Sequence, residues 1–315
     1  MSDQADGLRE LVRARSGTSA LADPDPPPRL APPVKTRSLV FTSGKGGVGA
    51  SNLALNLAVA LGALGQRVVL VDADLGLANL DLLCGLSPEH DLGDVLSGAV
   101  PLADAVIDGP AGVRFLPGAH GMRTLPEVLG DGPARLAGEL ARLECGADFL
   151  IVDAGSGLGS GIATLGAAAD EVVVVTTPEP TAVADAHATI NRFKRHPGAR
   201  LRLVVNQASS ADEADDVLAR LCATSRQFLG VVVTPMGHVR SDPCVPLAVR
   251  ARQPFVLAYP GCSASRCVRR VARDLLTGRP PRVRRPGFFA ALAARWALNR
   301  VARRGDFRFC GMFRQ

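Results

Sequence analysis

The chain is 315 residues long, 47% apolar but only 4% aromatic, with a net charge of +6. That length suits one large α/β domain with appendages, and a composition rich in Ala, Gly, Leu and Val suits helices packed closely on a parallel sheet. No apolar run is long enough for a transmembrane helix, the N-terminus has no apolar signal-peptide core, and seven scattered cysteines fit a reducing cytoplasm.

The charge is unevenly placed. Residues 279–315 hold ten arginines and one acid, Asp306, so this tail carries +9 and leaves −3 on residues 1–278. Electrostatic partners are therefore expected at the tail. Cys262 and Cys267 lie close in sequence but have no partner pair, which makes a metal site there an unattractive reading.

In chain order, residues 1–22 are polar with a short helical pattern at Leu8, Leu11 and Val12. Residues 23–36 are proline-rich and read as an extended tether. From 37 to 278 short β-branched runs alternate with helical stretches. The runs 38–42, 68–71, 149–152, 172–176 and 201–205 read as buried parallel strands. The stretches 51–64, 181–195, 212–228 and 264–276 read as helices. This alternation predicts a doubly wound, mostly parallel sheet flanked by helices, with ligands at the carboxyl ends of the strands. In the tail, Phe288, Phe289, Leu292 and Trp296 recur at helical spacing among arginines. A basic amphipathic helix of this kind suits an anionic membrane surface, and the alternative is a helix docked on the body.

Between the first strand and the first helix stands Gly44-Lys45-Gly46-Gly47-Val48-Gly49-Ala50-Ser51. Glycines let successive backbone N–H groups face phosphates, and a helix N-terminus stands behind them. Ser51 sits where a hydroxyl ligates Mg²⁺. Asp72 and Asp74 follow one strand and Asp153 closes another, so acids collect where a metal and an attacking water would lie. Asn206 ends a further strand, where its amide could read an adenine edge.

Together with 72–81 and Thr177-Pro178-Glu179-Pro180-Thr181, this loop resembles the MinD/ParA deviant-Walker ATPases, a P-loop NTPase group of SIMIBI type. Asp3-Gln4-Ala5 with Leu8-Arg9, Asn52 after Ser51, and Gln253-Pro254-Phe255 with Ala258-Tyr259-Pro260 resemble the flagellar number regulators of the FlhG/FleN/YlxH branch. The resemblance implies ATP and Mg²⁺ as cofactors and a homodimer formed on ATP binding. Gly44 to Asn52 would cradle the nucleotide, with Lys45 crossing to the partner subunit's nucleotide. Ser51 would hold Mg²⁺ directly and Asp153 through water. Asp74, with Asp72 nearby, would position the water, and Asn206 would contact adenine. It also implies that Asp3, Gln4, Ala5, Leu8 and Arg9 stimulate an SRP-type, FlhF-like GTPase. A flagellar transcription factor or C-ring component stands as a further partner, and no specific nucleic acid is expected. The expected location is cytoplasmic, with reversible attachment to the inner face of the cell membrane.

Ala50 departs from this pattern, because the resemblance puts a lysine there. Losing a hydrogen bond to a charged group costs about 1.5–3 kcal/mol, roughly ten- to a hundred-and-fifty-fold in affinity. Two readings stand at this point: a weak ATPase, or a pseudo-ATPase scaffold that does not turn over. A ParA-like partitioning ATPase is the alternative within the fold. The retained Lys45, Ser51, Asp72, Asp74 and Asp153 favour slow hydrolysis.

Overall fold

A computed structural model describes residues 36–74, 78–119, 133–157, 159–194, 199–278 and 287–303. Asp3, Gln4, Ala5, Leu8 and Arg9, and the side chain of Trp296, lie outside the described residues. The strands are β1 (Arg37–Ser43), β2 (Val68–Asp72), β3 (Ile107–Asp108), β4 (Arg114–Leu116), β5 (Phe149–Ser156), β6 (Glu171–Thr176), β7 (Arg200–Ala208) and β8 (Val233–Arg240). The helices begin with α1 (Ala50–Ala63), α2 (Leu80–Cys84), α3 (Leu92–Ser97), α4 (Leu102–Ala105) and α5 (Pro133–Cys145). They continue with α6 (Ser160–Ala168), α7 (Pro180–Phe193), α8 (Ala211–Thr224) and α9 (Cys244–Arg250). The last are α10 (Phe255–Ala258), α11 (Ser263–Thr277) and α12 (Phe288–Arg303).

The eight strands form one sheet in the order β3-β4-β2-β5-β1-β6-β7-β8, parallel except where β3 meets β4. All five expected strands are present, and three more join them. The central strands are legible because both faces are covered, giving unbroken runs such as Leu39–Phe41 and Val172–Val175 in the core. β8 lacks that signature: it is an edge strand, it contains Pro235, and its pairing to β7 shifts register between Pro235 and Gly237. β3 and β4 span two and three residues, too short for a periodic signal. β7 runs on to Ala208, so Asn206 sits within the strand's last turn of pleat and not after it.

The core lies in two layers, one on each face of the sheet. Helix α1 is almost wholly buried in one, where Leu53 and Leu57 share a cluster with Val268, Val271 and Leu275 of α11. No described helix is long and apolar enough to cross a membrane.

The other layer holds the start of the tail helix against the body. Phe288, Phe289 and Leu292 are 2%, 5% and 3% exposed. They fill an apolar seat made by Val71, Leu92, Leu116, Leu140 and Leu165, with α12 packed on α5 and α6. Glu144 of α5, itself buried, fixes the start of α12: its carboxylate accepts the backbone N–H groups of Phe288 at 2.7 Å and Phe289 at 3.1 Å. A carboxylate against the N-terminal donors of a helix satisfies groups that have no partner within it. The aromatic stripe is thus used in cis here, which is the docked alternative.

Truncating such a side chain removes its burial and leaves a cavity. Phe289→Ala is expected to destabilise the fold by about 3–5 kcal/mol, read as a lower urea midpoint with an unchanged slope. A loss below about 1 kcal/mol would mean that the helix is not seated in solution.

Candidate nucleotide site

The site forms at the carboxyl ends of β1, β2, β5 and β7, where the chain reverses its direction of winding about β1. Leaving β1, the loop from Gly44 turns into α1 at Ala50. Gly49 makes this turn with φ 85°, and a Cβ there would come 2.5 Å from Asn206 Nδ2, so only glycine fits. Helix α1 has no side-chain cap and no acid in its first turn. Its leading N–H groups are left for an anion, as phosphate binding requires.

Asn206 and Gln207 brace the loop from β7. Asn206 Nδ2 donates to the Val48 carbonyl at 2.8 Å, and Gln207 Nε2 donates to that of Gly47 at 3.3 Å. One donor of the Asn206 amide is therefore spent on the loop, a role its sequence position did not suggest. Gln207, at φ 58°, is a second brace that the sequence reading missed. Its only signal was its place directly after Asn206.

The acids come together by register. Asp72 of β2 stands opposite Asp153 of β5. The buried Asp72 carboxylate accepts N–H groups of Asp74, Asn79 and Leu80, each at 3.1 Å. It thereby fixes both ends of the segment that carries Asp74. Gly155, at φ 68°, leaves room for Asp74, because a Cβ there would collide with the Asp74 carboxylate. Asp153 accepts the N–H of Gly155 at 3.2 Å and the hydroxyl of Ser51. Asp72, Asp74, Asp153 and Ser51 thus lie together at one end of the sheet.

Their electrostatics suit a cation. Burial, then the charge of Asp153, pushes Asp72 up to about 7. Burial raises Asp153 to about 6, against the pull of the Ser51 hydroxyl and with a push from Asp74. Crowded acids beside a hydroxyl, all oxygen donors, match the preference of Mg²⁺, and a cation would relieve their mutual repulsion.

Lys45 lies on the outer side of the loop, its Nζ 2.8 Å from Glu179 and 3.1 Å from the Thr181 hydroxyl at the start of α7. Both charges are well exposed, at 40% and 65%. Glu179 and Thr181 belong to a stretch the sequence reading used only for resemblance. Ala50 is 7% exposed and joins Val48 and Leu53 in the apolar cluster beneath the loop. Asn52, one position beyond Ser51, accepts Asn56 Nδ2 at its carbonyl, 2.8 Å away.

Comparison with known proteins agrees with this geometry. Residues 39–305 match the CobQ/CobB/MinD/ParA nucleotide binding domain. The chain is 38% identical over 238 residues to the antiactivator FleN of Pseudomonas aeruginosa, covering 75% of this chain and 85% of that protein. It is 31% identical to the flagellum site-determining protein YlxH of Helicobacter pylori, over 69% of this chain and 74% of that one. The solved structure of MinD from Pyrococcus horikoshii, complexed with Mg-ADP, matches at a TM-score of 0.63 with 28% identity, covering 77% and 98% of the two chains.

The raised carboxyl pKa values predict a pH dependence. An unfolded aspartate titrates near ~3.9, so between about pH 4 and about 7 the folded state binds protons that the unfolded chain has released. The contribution to stability is complete below the unfolded value and is lost as pH rises through about 6 and about 7. Relative to Asp153→Asn, the nucleotide-free protein should lose urea stability across this window and then level off. A difference between the two that stays flat with pH would remove this account.

Proposed function

The chain belongs to the CobQ/CobB/MinD/ParA family of nucleotide-binding domains, and on that footing we propose that it is a MinD-like, nucleotide-dependent switch acting on flagellar number and placement. The observation that carries the nucleotide half is the convergence of Asp72, Asp74 and Asp153 on the Ser51 end of a glycine loop. The flagellar half rests on the FleN and YlxH relatives.

In this reading the phosphates of ATP sit against the N–H groups of the loop and of the first turn of α1. Ser51 would hold Mg²⁺ directly and Asp153 through water, and the ion would supply charge neutralisation on the phosphates. Asp74 orients the attacking water, and Asp72 acts by fixing the segment that bears Asp74. Lys45 exchanges Glu179 and Thr181 for the nucleotide of a second copy, so ATP draws two subunits together. Attachment to a membrane through Phe288, Phe289 and Leu292 would require α12 to leave its seat on α5 and α6.

Ala50 separates binding from turnover. Its methyl group makes no hydrogen bond to phosphate, while the backbone donors and the helix dipole remain. Charge developing on the transferred phosphoryl group is what the missing ammonium would have stabilised, so catalysis suffers more than affinity.

Steady-state ATP hydrolysis by the natural protein, Ala50→Lys and Asp74→Ala distinguishes a weak ATPase from a scaffold that does not turn over. Slow turnover above the Asp74→Ala background is expected, with Ala50→Lys tightening nucleotide binding by roughly tenfold or more. Equality with Asp74→Ala would leave the scaffold reading in place. The partner half has its own test. A peptide of residues 1–20 should accelerate GTP hydrolysis by the cognate SRP-type GTPase, and Gln4→Ala should abolish the effect; an inert wild-type peptide would sink this assignment.

A further inference from the structure

On the same side of the core as α1, but outside the nucleotide constellation, three metal-binding side chains meet. Asp242 follows β8, Cys244 opens α9, and Cys262 directly precedes α11. Their ligand atoms lie within 4.8 Å of one another, and all three residues are half-buried. Eighteen positions separate the two cysteines in sequence, so no short motif announces them. The neighbouring Cys267, closer to Cys262 along the chain, is not part of the group.

We propose that Asp242, Cys244 and Cys262 form a site for one thiophilic divalent cation of the zinc class, with a fourth position open to water. Two sulfurs and one carboxylate are a donor set for such a metal and not for Mg²⁺, which takes oxygen ligands. A tetrahedral centre with Zn–S bonds of ~2.3 Å sets its sulfurs ~3.8 Å apart, so the ligands need only a small contraction from their present spacing.

The surroundings hold the ligands in place. Asp242 Oδ1 accepts the Cys244 N–H at 2.9 Å. Asp242 Oδ2 accepts the Ser263 N–H at 2.7 Å and its hydroxyl at 2.6 Å, and the Ala264 N–H at 3.4 Å. One carboxylate thus ties the loop that bears Cys244 to the helix start that bears Cys262. Cys262 Sγ in turn accepts the Ser265 N–H at 3.3 Å. Such outer hydrogen bonds orient the ligands and favour their anionic, metal-binding form. Among the described residues no Lys, Arg or His forms an ion pair with Asp242.

The site also has a defined place in the fold. Ser265 Oγ donates to the Phe255 carbonyl at 3.0 Å, and the Val256 N–H donates to Asn56 of α1 at 3.0 Å. A bound metal would clasp β8, α9 and α11 directly behind the helix that follows the glycine loop.

The test is a titration of the reduced, full-length protein with Co²⁺ in excess Mg²⁺, followed by displacement with Zn²⁺. Sulfur-to-cobalt charge-transfer absorption is the readout, because an all-oxygen nucleotide site cannot give it. The band should saturate at one equivalent and be unchanged in Cys267→Ser. It should weaken at least about tenfold in affinity in Cys244→Ser or Cys262→Ser, and vanish in the double variant. Zn²⁺ should raise the Tm of the wild type but not of the double variant, with circular dichroism confirming that the double variant is folded. Absence of the band, its survival in the double variant, or a Cys244–Cys262 disulfide in the isolated protein would each overturn the proposal.

Discussion

The carboxylate of Asp72 is 1% exposed and accepts three backbone N–H groups, from Asp74, Asn79 and Leu80. An ionised group so placed is costly unless it is paired and hydrogen-bonded. Here those bonds tie Asp74, Asn79 and Leu80 to the end of β2, with Asp74 beside Gly155. The cost is visible in the upward shift of Asp72, which is driven by burial and by Asp153. The site is therefore assembled around a repulsion between Asp72 and Asp153 that a cation would relieve.

The charge on the other side of the loop is arranged more loosely. Lys45 is paired with Glu179, but both are exposed, and surface pairs contribute only about 0–1 kcal/mol. Breaking that contact costs little, so the pair does not hold the fold together. At position 50 the balance differs. An alanine packed with Val48 and Leu53 adds to the apolar cluster under the loop and brings no side-chain donor or charge to it.

The tail shows why an amphipathic pattern alone does not name its partner. Phe288, Phe289 and Leu292 define a face that would suit a lipid surface as well as it suits α5 and α6. The deciding residue is Glu144, 144 positions away, whose buried carboxylate meets the first N–H groups of the helix. Nothing near the aromatic stripe reports that partner. The same distance effect hides the Asp242, Cys244 and Cys262 group, since the pair that looks close in sequence, Cys262 and Cys267, is not the pair that meets.

Much of the protein was already written in its residues. Short apolar runs mark β1, β2, β5, β6 and β7 because strands covered on both faces are largely apolar, and acids after β2 and in β5 mark the edge where ligands bind. The glycine spacing and Ser51 mark the loop, since few other residues permit that backbone. Strands β3, β4 and β8 were not legible, being short or lying at an edge, where one face need not be apolar. Register alone set Asp72 beside Asp153, and long-range hydrogen bonds alone gave Asn206 and Gln207 their hold on the loop. The sequence by itself determined which chemical groups are present and on which elements they ride, because periodicity and backbone freedom are local properties. The tertiary structure decided which of those groups touch, whether the apolar face of α12 is covered, and how far burial shifts each acid. Those depend on neighbours that the chain brings in from far along the sequence, as Asp153 meets Asp72 and Glu144 meets Phe288.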